Sequence, residues 1–130
     1  MVDIIRRMER EIQQMQDDDE SSPYYSLSYN PDNIYIWSAN IHCLPDIRHE
    51  GKNYNIEIIC PPSYPFKPPI VKFLDPVECL CVSNATGLLR LDILGKEWTP
   101  SLTIRKLMLS ICSVLTDNEP ARRSPRNLSY

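Results

Sequence analysis

The stretch "PPSYPFKPP", residues 61–69, places five prolines in nine residues and divides the chain into two parts. Proline fixes its own φ and has no backbone N–H, so this stretch belongs neither in a helix nor in an inner strand. We predict an extended, rigid loop here. The sequence from residue 24 up to the loop has the composition of strands. The sequence after it holds one short strand-like run, an irregular segment and a helical pattern.

Three strand-like runs come before the loop, and each is rich in β-branched and aromatic residues: "YYSLSY" (24–29), "IYIWSANIHC" (34–43) and "YNIEIIC" (54–60). The first ends in the turn signal "NPDN", and short turns of this kind favour antiparallel neighbours. A fourth run, "IVKFLD" (70–75), leaves the loop. The pattern predicts a four-stranded antiparallel meander.

Amphipathic helices are predicted on either side of the strands. Residues 2–16 carry an apolar stripe at spacings of three and four: Ile4, Ile5, Met8, Ile12 and Met15. After an aperiodic segment over 76–98, Thr99-Pro100-Ser101 is predicted to open a helix whose apolar face is Ile104, Leu107, Met108, Ile111 and Leu115. The predicted fold class is α+β: N-terminal helix, four-stranded meander, irregular segment, C-terminal helix.

Length and composition restrict the kind of protein. The 130 residues fit one domain, predicted over 1–120, with a short basic tail over 121–130. The hydrophobic fraction of 42% and charged fraction of 24% are those of an ordinary globular protein. A net charge of −3 gives no reason to expect nucleic acid as the main partner, and no apolar run approaches ~18 residues, so no membrane partner is expected.

Five cysteines form an odd set: Cys43, Cys60, Cys79, Cys81 and Cys112. The charged N-terminus shows no secretory signal, so reduced thiols and a cytoplasmic or nuclear location are expected. A zinc site built from His42, Cys43, Cys79 and Cys81 would have enough ligand atoms. It lacks the usual finger spacing, so neither a metal nor any other cofactor is predicted.

Several motifs, in order and at nearly the expected spacing, resemble the ubiquitin-conjugating enzyme family. They are Trp37, "SYPFKPP" (63–69), "LDIL" (91–94), "WTPSLTI" (98–104) and "LSICSVL" (109–115). The resemblance covers roughly residues 5–120 and implies the fold of that family, shortened at its C-terminus. It also implies that the irregular segment corresponds to the family's active site.

The resemblance places the family's nucleophile at Arg90. In the family, a cysteine three residues after a glycine and just before Leu-Asp-Ile-Leu carries ubiquitin as a thioester. Counting from Gly87, that position here is Arg90, and a guanidinium has no lone pair for acyl transfer. The family's His-Pro-Asn motif, whose Asn supports the oxyanion, corresponds to Leu80, Cys81 and Val82. Family acids near the site correspond to Ala121 and Arg122. We therefore expect no catalytic residues.

An active enzyme with a relocated nucleophile, Cys81 or Cys79, is the rival hypothesis. Both cysteines lie in the irregular segment, but the sequence supplies no neighbouring base or helix N-terminus to lower their pKa. A third possibility is a purely structural subunit of a ligase complex. Formation of a ubiquitin thioester would favour the relocated nucleophile. Loss of all binding to ligases, conjugating enzymes and ubiquitin would favour the structural subunit.

The resemblance also implies binding surfaces. In the family, the first helix and two loops contact RING-type or HECT-type ubiquitin ligases; the corresponding residues here are Arg6, Arg7, Arg10, Phe66, Pro100 and Ser101. Some members bind ubiquitin non-covalently around a serine of the first strand, which corresponds to Ser26. The expected function is that of an inactive ubiquitin-conjugating enzyme variant, a binding module or regulator. It would dock a ligase or pair with an active conjugating enzyme.

Overall fold

The computed structural model describes residues 2–17, 23–42, 44–45 and 49–117. In chain order the elements are α1 (Val2–Asp17), β1 (Tyr25–Asn30), β2 (Asn33–Ile41), β3 (Tyr54–Ile59), β4 (Ile70–Phe73), a 3₁₀ turn (Asp92–Leu94) and α2 (Ile104–Asp117). The predicted α+β order is confirmed. The tail over 121–130, with Ala121 and Arg122, lies outside the described residues.

The four strands form one antiparallel sheet in the order β1-β2-β3-β4, as the meander prediction requires. On the inner face Trp37 pairs with Ile58, which in turn pairs with Val71, and all three side chains are buried. Alternate residues point to solvent, for example Glu57 opposite Lys72. This period of two is what places one face of the sheet against the helices.

Helix α1 packs on the core through Ile4 and Met8, which are almost fully buried. Ile5 is 48% exposed, so its predicted place in the apolar stripe is wrong. The physical reason is the helical period: residues 4, 8 and 11 share one face, and Ile5 is turned about 100° away from Ile4. Ile12 packs at the margin of the core.

Helix α2 begins at Ile104, later than the sequence pattern predicted. Thr99-Pro100-Ser101 forms turns instead, and Thr103 precedes the helix with its Oγ1 accepting a hydrogen bond from the Lys106 N–H at 3.1 Å. A threonine hydroxyl that accepts from an N–H of the first turn is a typical helix N-cap. The predicted apolar face is buried throughout: Ile104, Leu107, Met108, Ile111 and Leu115.

The buried carboxylate of Glu11 joins α1, the proline-rich loop and α2. Its Oε2 accepts from Arg7 Nε at 2.7 Å and from the Tyr64 hydroxyl at 2.5 Å. Its Oε1 accepts from the backbone N–H of Ile104 at 2.8 Å. Glu11 is only 6% exposed, and a buried carboxylate is tolerated when it is paired and hydrogen-bonded in this way.

Buried His49 makes a second polar link to α2. Its Nε2 donates to the Leu115 carbonyl oxygen at 3.1 Å, which leaves Nδ1 to accept from the Tyr54 hydroxyl at 2.7 Å in the neutral ring. The loop after β2 is thereby fixed to the C-terminal half of α2.

Candidate functional site

The irregular segment is a compact hairpin beside β4. Val82 and Leu89 form an antiparallel bridge, and the Arg90 N–H donates to the Cys81 carbonyl oxygen at 2.8 Å. Leu89 N donates to the Val71 carbonyl oxygen at 2.9 Å, so the second arm of the hairpin extends the sheet beyond β4. Residues 80–82 therefore lie directly beside residues 89–90.

Gly87 allows the hairpin to approach β4. Its φ of +79° is in the left-handed region that favours glycine, and its carbonyl oxygen accepts from the Phe73 N–H at 2.7 Å. A Cβ built at Gly87 would overlap the Phe73 carbonyl oxygen. The glycine that served to count forward to position 90 is thus required by the backbone itself.

The four positions that the resemblance assigns to the lost site are brought together, with different exposures. Arg90 and Leu80 face solvent, with Leu80 47% exposed. Cys81 and Val82 are buried at 6% and 7% exposure. Val82 packs as a core residue, and its side chain has no polar atom to donate a hydrogen bond to a developing oxyanion.

Cys79 and Cys81 are joined by a disulfide. The expectation that the thiols are reduced is therefore wrong for this pair. A turn in which Val82 N donates to the Cys79 carbonyl oxygen at 3.2 Å brings the two Cα atoms to 5.4 Å, a separation that a disulfide spans. While the bridge is closed, neither sulfur is a thiolate nucleophile.

The remaining described cysteines, Cys60 and Cys112, are buried thiols. Burial, with the charge of Glu11 as a second cause, raises the pKa of Cys60 to about 12. Burial raises the pKa of Cys112 to about 11. Both thiols are protonated and inaccessible at neutral pH, so within the described ranges no free, exposed thiol lies near the hairpin. Cys43 is outside those ranges.

Three elements named as the ligase-binding surface are neighbours. Trp98 Nε1 donates to the Pro65 carbonyl oxygen at 2.8 Å, which ties the proline-rich loop to the loop that holds Pro100 and Ser101. Within the first loop Tyr64 is buried, whereas Phe66 is 69% exposed. Pro100 and Ser101 are also exposed. The geometry presents one aromatic side chain on an anchored loop, and its use in binding stays a prediction.

The three arginines of α1 differ in their surroundings. Arg6 and Arg10 are exposed. Arg7 is engaged within the fold: its side chain is 16% exposed, it pairs with Glu11, and its Nη2 donates to the Leu102 carbonyl oxygen at 2.6 Å. The Arg7 guanidinium also lies 5.6 Å from the ring centroid of Tyr64. Arg7 therefore connects α1 to the second loop, and Arg6 and Arg10 are the better candidates for contact with a partner.

Ser26 lies on the solvent face of β1, opposite Asn40 of β2. Its position agrees with a surface for non-covalent ubiquitin binding, which stays a prediction. His42, weighed as a zinc ligand, has its Nδ1 2.9 Å from Asn40 Oδ1. Among the residues that the structure describes, no group of three or more His, Cys, Asp or Glu side chains could hold a metal ion.

Sequence reasoning missed Glu11, Tyr64, His49 and the structural role of Trp98. Glu11 had a readable signal: it lies seven residues after Ile4 and three after Met8, on the buried side of α1. A carboxylate at such a position predicts a buried partner. Tyr64 and His49 carry no periodic signal in their loops.

Comparison with known proteins agrees with the fold. The sequence profile described as "Ubiquitin-conjugating enzyme" matches residues 7–129. A ubiquitin-conjugating enzyme E2 from Plasmodium falciparum is 33% identical, with a TM-score of 0.77 over 88% of this chain and 99% of that one. An E2 domain from Toxoplasma gondii is 34% identical, with a TM-score of 0.74 over 88% of this chain and 76% of that one. An E2 from Plasmodium vivax is 34% identical, with a TM-score of 0.74 over 84% of this chain and 98% of that one.

A profile match over most of the chain, together with these structures, establishes the class. The chain belongs to the ubiquitin-conjugating enzyme family. In the described part of the chain, neither helix is long and apolar enough to cross a membrane.

Proposed function

We propose that this protein is a catalytically inactive member of the family, a binding module that acts on ubiquitin transfer by docking a ubiquitin ligase. Pairing with an active conjugating enzyme is the second form of the same function. Family membership brings ubiquitin ligases and ubiquitin as the class of partner. The proposed place of action is the cytoplasm or nucleus.

The observation that carries the proposal is the occupant of the nucleophile position. The Arg90–Cys81 hydrogen bond and the Val82–Leu89 bridge support the alignment, because they place position 90 beside positions 80–82. The alignment puts a guanidinium where the thioester chemistry needs a thiolate. A cation that stays protonated at all accessible pH values cannot carry an acyl group.

The described cysteines give the rival hypothesis little support. A relocated nucleophile would need a reactive thiol near the hairpin, and Cys79 and Cys81 are bound to each other. Reduction would release both thiols, although Cys81 would still be a buried side chain. A test for activity must therefore be done with the pair opened as well as closed.

We expect no ubiquitin thioester on this protein. The purified chain is incubated with activating enzyme, ubiquitin and ATP, with an active family member as the positive control. The products are separated on non-reducing gels. One sample is first treated with a mild reductant that is then removed, so that the Cys79–Cys81 pair begins as two thiols. A dithiothreitol-sensitive adduct that is lost in Cys79→Ser or Cys81→Ser would establish the rival hypothesis.

Ligase docking is supported by the anchored loop that exposes Phe66. Tyr64 and the Trp98–Pro65 hydrogen bond hold the loop from inside, so little chain entropy is lost when a partner covers the exposed ring. An aromatic side chain held in this way is a typical binding anchor.

Phe66→Ala is expected to weaken binding to a RING-type or HECT-type ligase domain by about 1–3 kcal/mol, the range for an anchor residue. The melting temperature should barely change, since the ring is 69% exposed and makes few core contacts. Affinity is measured by titration calorimetry against a panel of ligase domains. Leu109→Ala, which truncates a 49% exposed side chain of α2, is the matched control and should bind unchanged. Unchanged binding by Phe66→Ala would assign the residue to the scaffold.

A further inference from the structure

A basic cavity of about 720 Å³ lies between α1 and the start of α2. Four cationic side chains line it: Arg7 and Arg10 from α1, and Arg105 and Lys106 from α2. Ser101 and Thr103 contribute to the same wall. The cavity is on the side of α1 that meets α2, away from the hairpin that carries Arg90.

The charge of this cavity is opposite to that of the whole chain. Among the residues that the structure describes, its lining holds four cations and one carboxylate, Glu11, a formal charge of +3. The formal net charge of the whole chain is −3. The Glu11 carboxylate is already occupied by Arg7, Tyr64 and the Ile104 N–H. Positive charges gathered in one concavity raise the local electrostatic potential, which attracts an anion.

We propose that this cavity binds the phosphorylated side chain of a serine or threonine in a partner polypeptide. A phosphoryl group carries about −1.5 to −2 charges and three acceptor oxygens, which suits several cations arranged around one space. Arginine forks bind phosphate with two parallel hydrogen bonds, and a lysine adds a mobile point charge. A carboxylate side chain brings one charge and two acceptor oxygens, so the cavity would attract it less strongly than a phosphoryl group.

The surrounding charge argues against nucleic acid as the occupant. A polyanion many residues long would lie beyond the cavity on a protein whose net charge is −3, where it meets repulsion. A single phosphorylated side chain confines its charge to the basic region. The proposal goes beyond the function proposed above and does not depend on catalytic inactivity, although it shares Arg7, Arg10 and Ser101 with the predicted ligase surface.

The probe is a fluorescein-labelled hexapeptide with one phosphoserine between alanine and glycine residues, and binding is measured by anisotropy. Its unphosphorylated form and a glutamate form are the comparison peptides. Arg10→Ala/Lys106→Ala removes two exposed cations of the lining and leaves the buried Arg7–Glu11 pair intact. Lys52→Ala/Lys96→Ala removes two exposed cations outside the lining and is the matched control.

We expect the phosphopeptide to bind more tightly than both comparison peptides, the cavity variant to weaken it at least tenfold, and the control variant to change its Kd less than twofold. Phe66→Ala should bind the phosphopeptide normally, which separates this site from ligase docking through the loop. Equal weakening by both double variants would overturn the proposal, as would equal binding of the glutamate peptide. A single-stranded RNA that binds more tightly than the phosphopeptide and is lost in the same variant would also overturn it. An unchanged thermal unfolding curve for Arg10→Ala/Lys106→Ala shows that a loss of binding is not a loss of fold.

Discussion

Glu11→Ala is expected to lower the free energy of unfolding by about 3–5 kcal/mol, the usual range when one partner of a buried ion pair is removed. Three donors lose their acceptor together: Arg7 Nε, the Tyr64 hydroxyl and the backbone N–H of Ile104. All three belong to different elements, so the loss also loosens the contact between α1, the proline-rich loop and α2. Urea unfolding followed by tryptophan fluorescence measures the change.

Glu9→Ala is the matched control, because it removes the same side chain from the exposed face of the same helix. It should change stability by less than about 0.5 kcal/mol. Glu11→Gln keeps the size and one of the two acceptor oxygens but removes the charge, so its cost should fall between the two. Equal losses for Glu9→Ala and Glu11→Ala would show that the buried carboxylate is not what joins the helices.

Arg90→Cys is expected to accept ubiquitin from the activating enzyme but to discharge it to free lysine about 10²–10³ times more slowly than an active family member. The new thiol would be at an exposed position, which permits charging. The slow transfer has a separate cause, since Val82 stands where the resemblance places the asparagine that supports the oxyanion. Single-turnover discharge of the loaded protein measures the rate.

The neighbouring Cys79–Cys81 disulfide must be removed from the protein in which Arg90→Cys is tested. The backbone at position 90 is hydrogen-bonded to Cys81, so a thiol introduced there could exchange with the Cys79–Cys81 bridge. Arg90→Cys is therefore made together with Cys79→Ser and Cys81→Ser, and Arg90→Ala in the same background is the control that should not charge. Discharge at the rate of an active member would mean that the residue at position 90 alone prevents ubiquitin transfer, and that Val82 does not slow it.

Adding Val82→Asn should restore little. Val82 is 7% exposed, so the new amide would be buried in the hairpin and not directed at a substrate. A buried polar group without a partner costs about 1–3 kcal/mol of stability. We therefore expect that this one substitution does not supply an oxyanion donor.

The elements of the fold were predictable because their signals are local. Alternation in "YNIEIIC" predicted which residues of β3 face the core, and the spacing of Ile104, Leu107 and Ile111 predicted the buried side of α2. The start of α2 was misplaced because Pro100 is compatible with a first helical turn. Three-dimensional contacts instead fix Thr103 as the cap and leave residues 99–101 in turns.

The candidate site was predictable only as far as the resemblance reached. Counting from Gly87 located Arg90 and positions 80–82, and the hairpin brings these residues together. The Cys79–Cys81 bridge depends on a turn whose geometry the sequence does not reveal. The engagement of Arg7 and the basic cavity depend on α2 lying beside α1, and residues about a hundred positions apart leave no periodic trace of such a contact.

The strand order described above also orders the assembly of the chain. Each strand of the meander pairs with the next one in sequence, so the sheet can form by closing short loops in succession. The Glu11–Ile104 contact instead joins residues 93 positions apart. The entropy lost on closing a loop grows with its length, so making that contact before the strands have paired is the costlier route. The least costly route forms the sheet first and joins α1 to α2 afterwards. The two ends of the chain then meet on a sheet that has already formed.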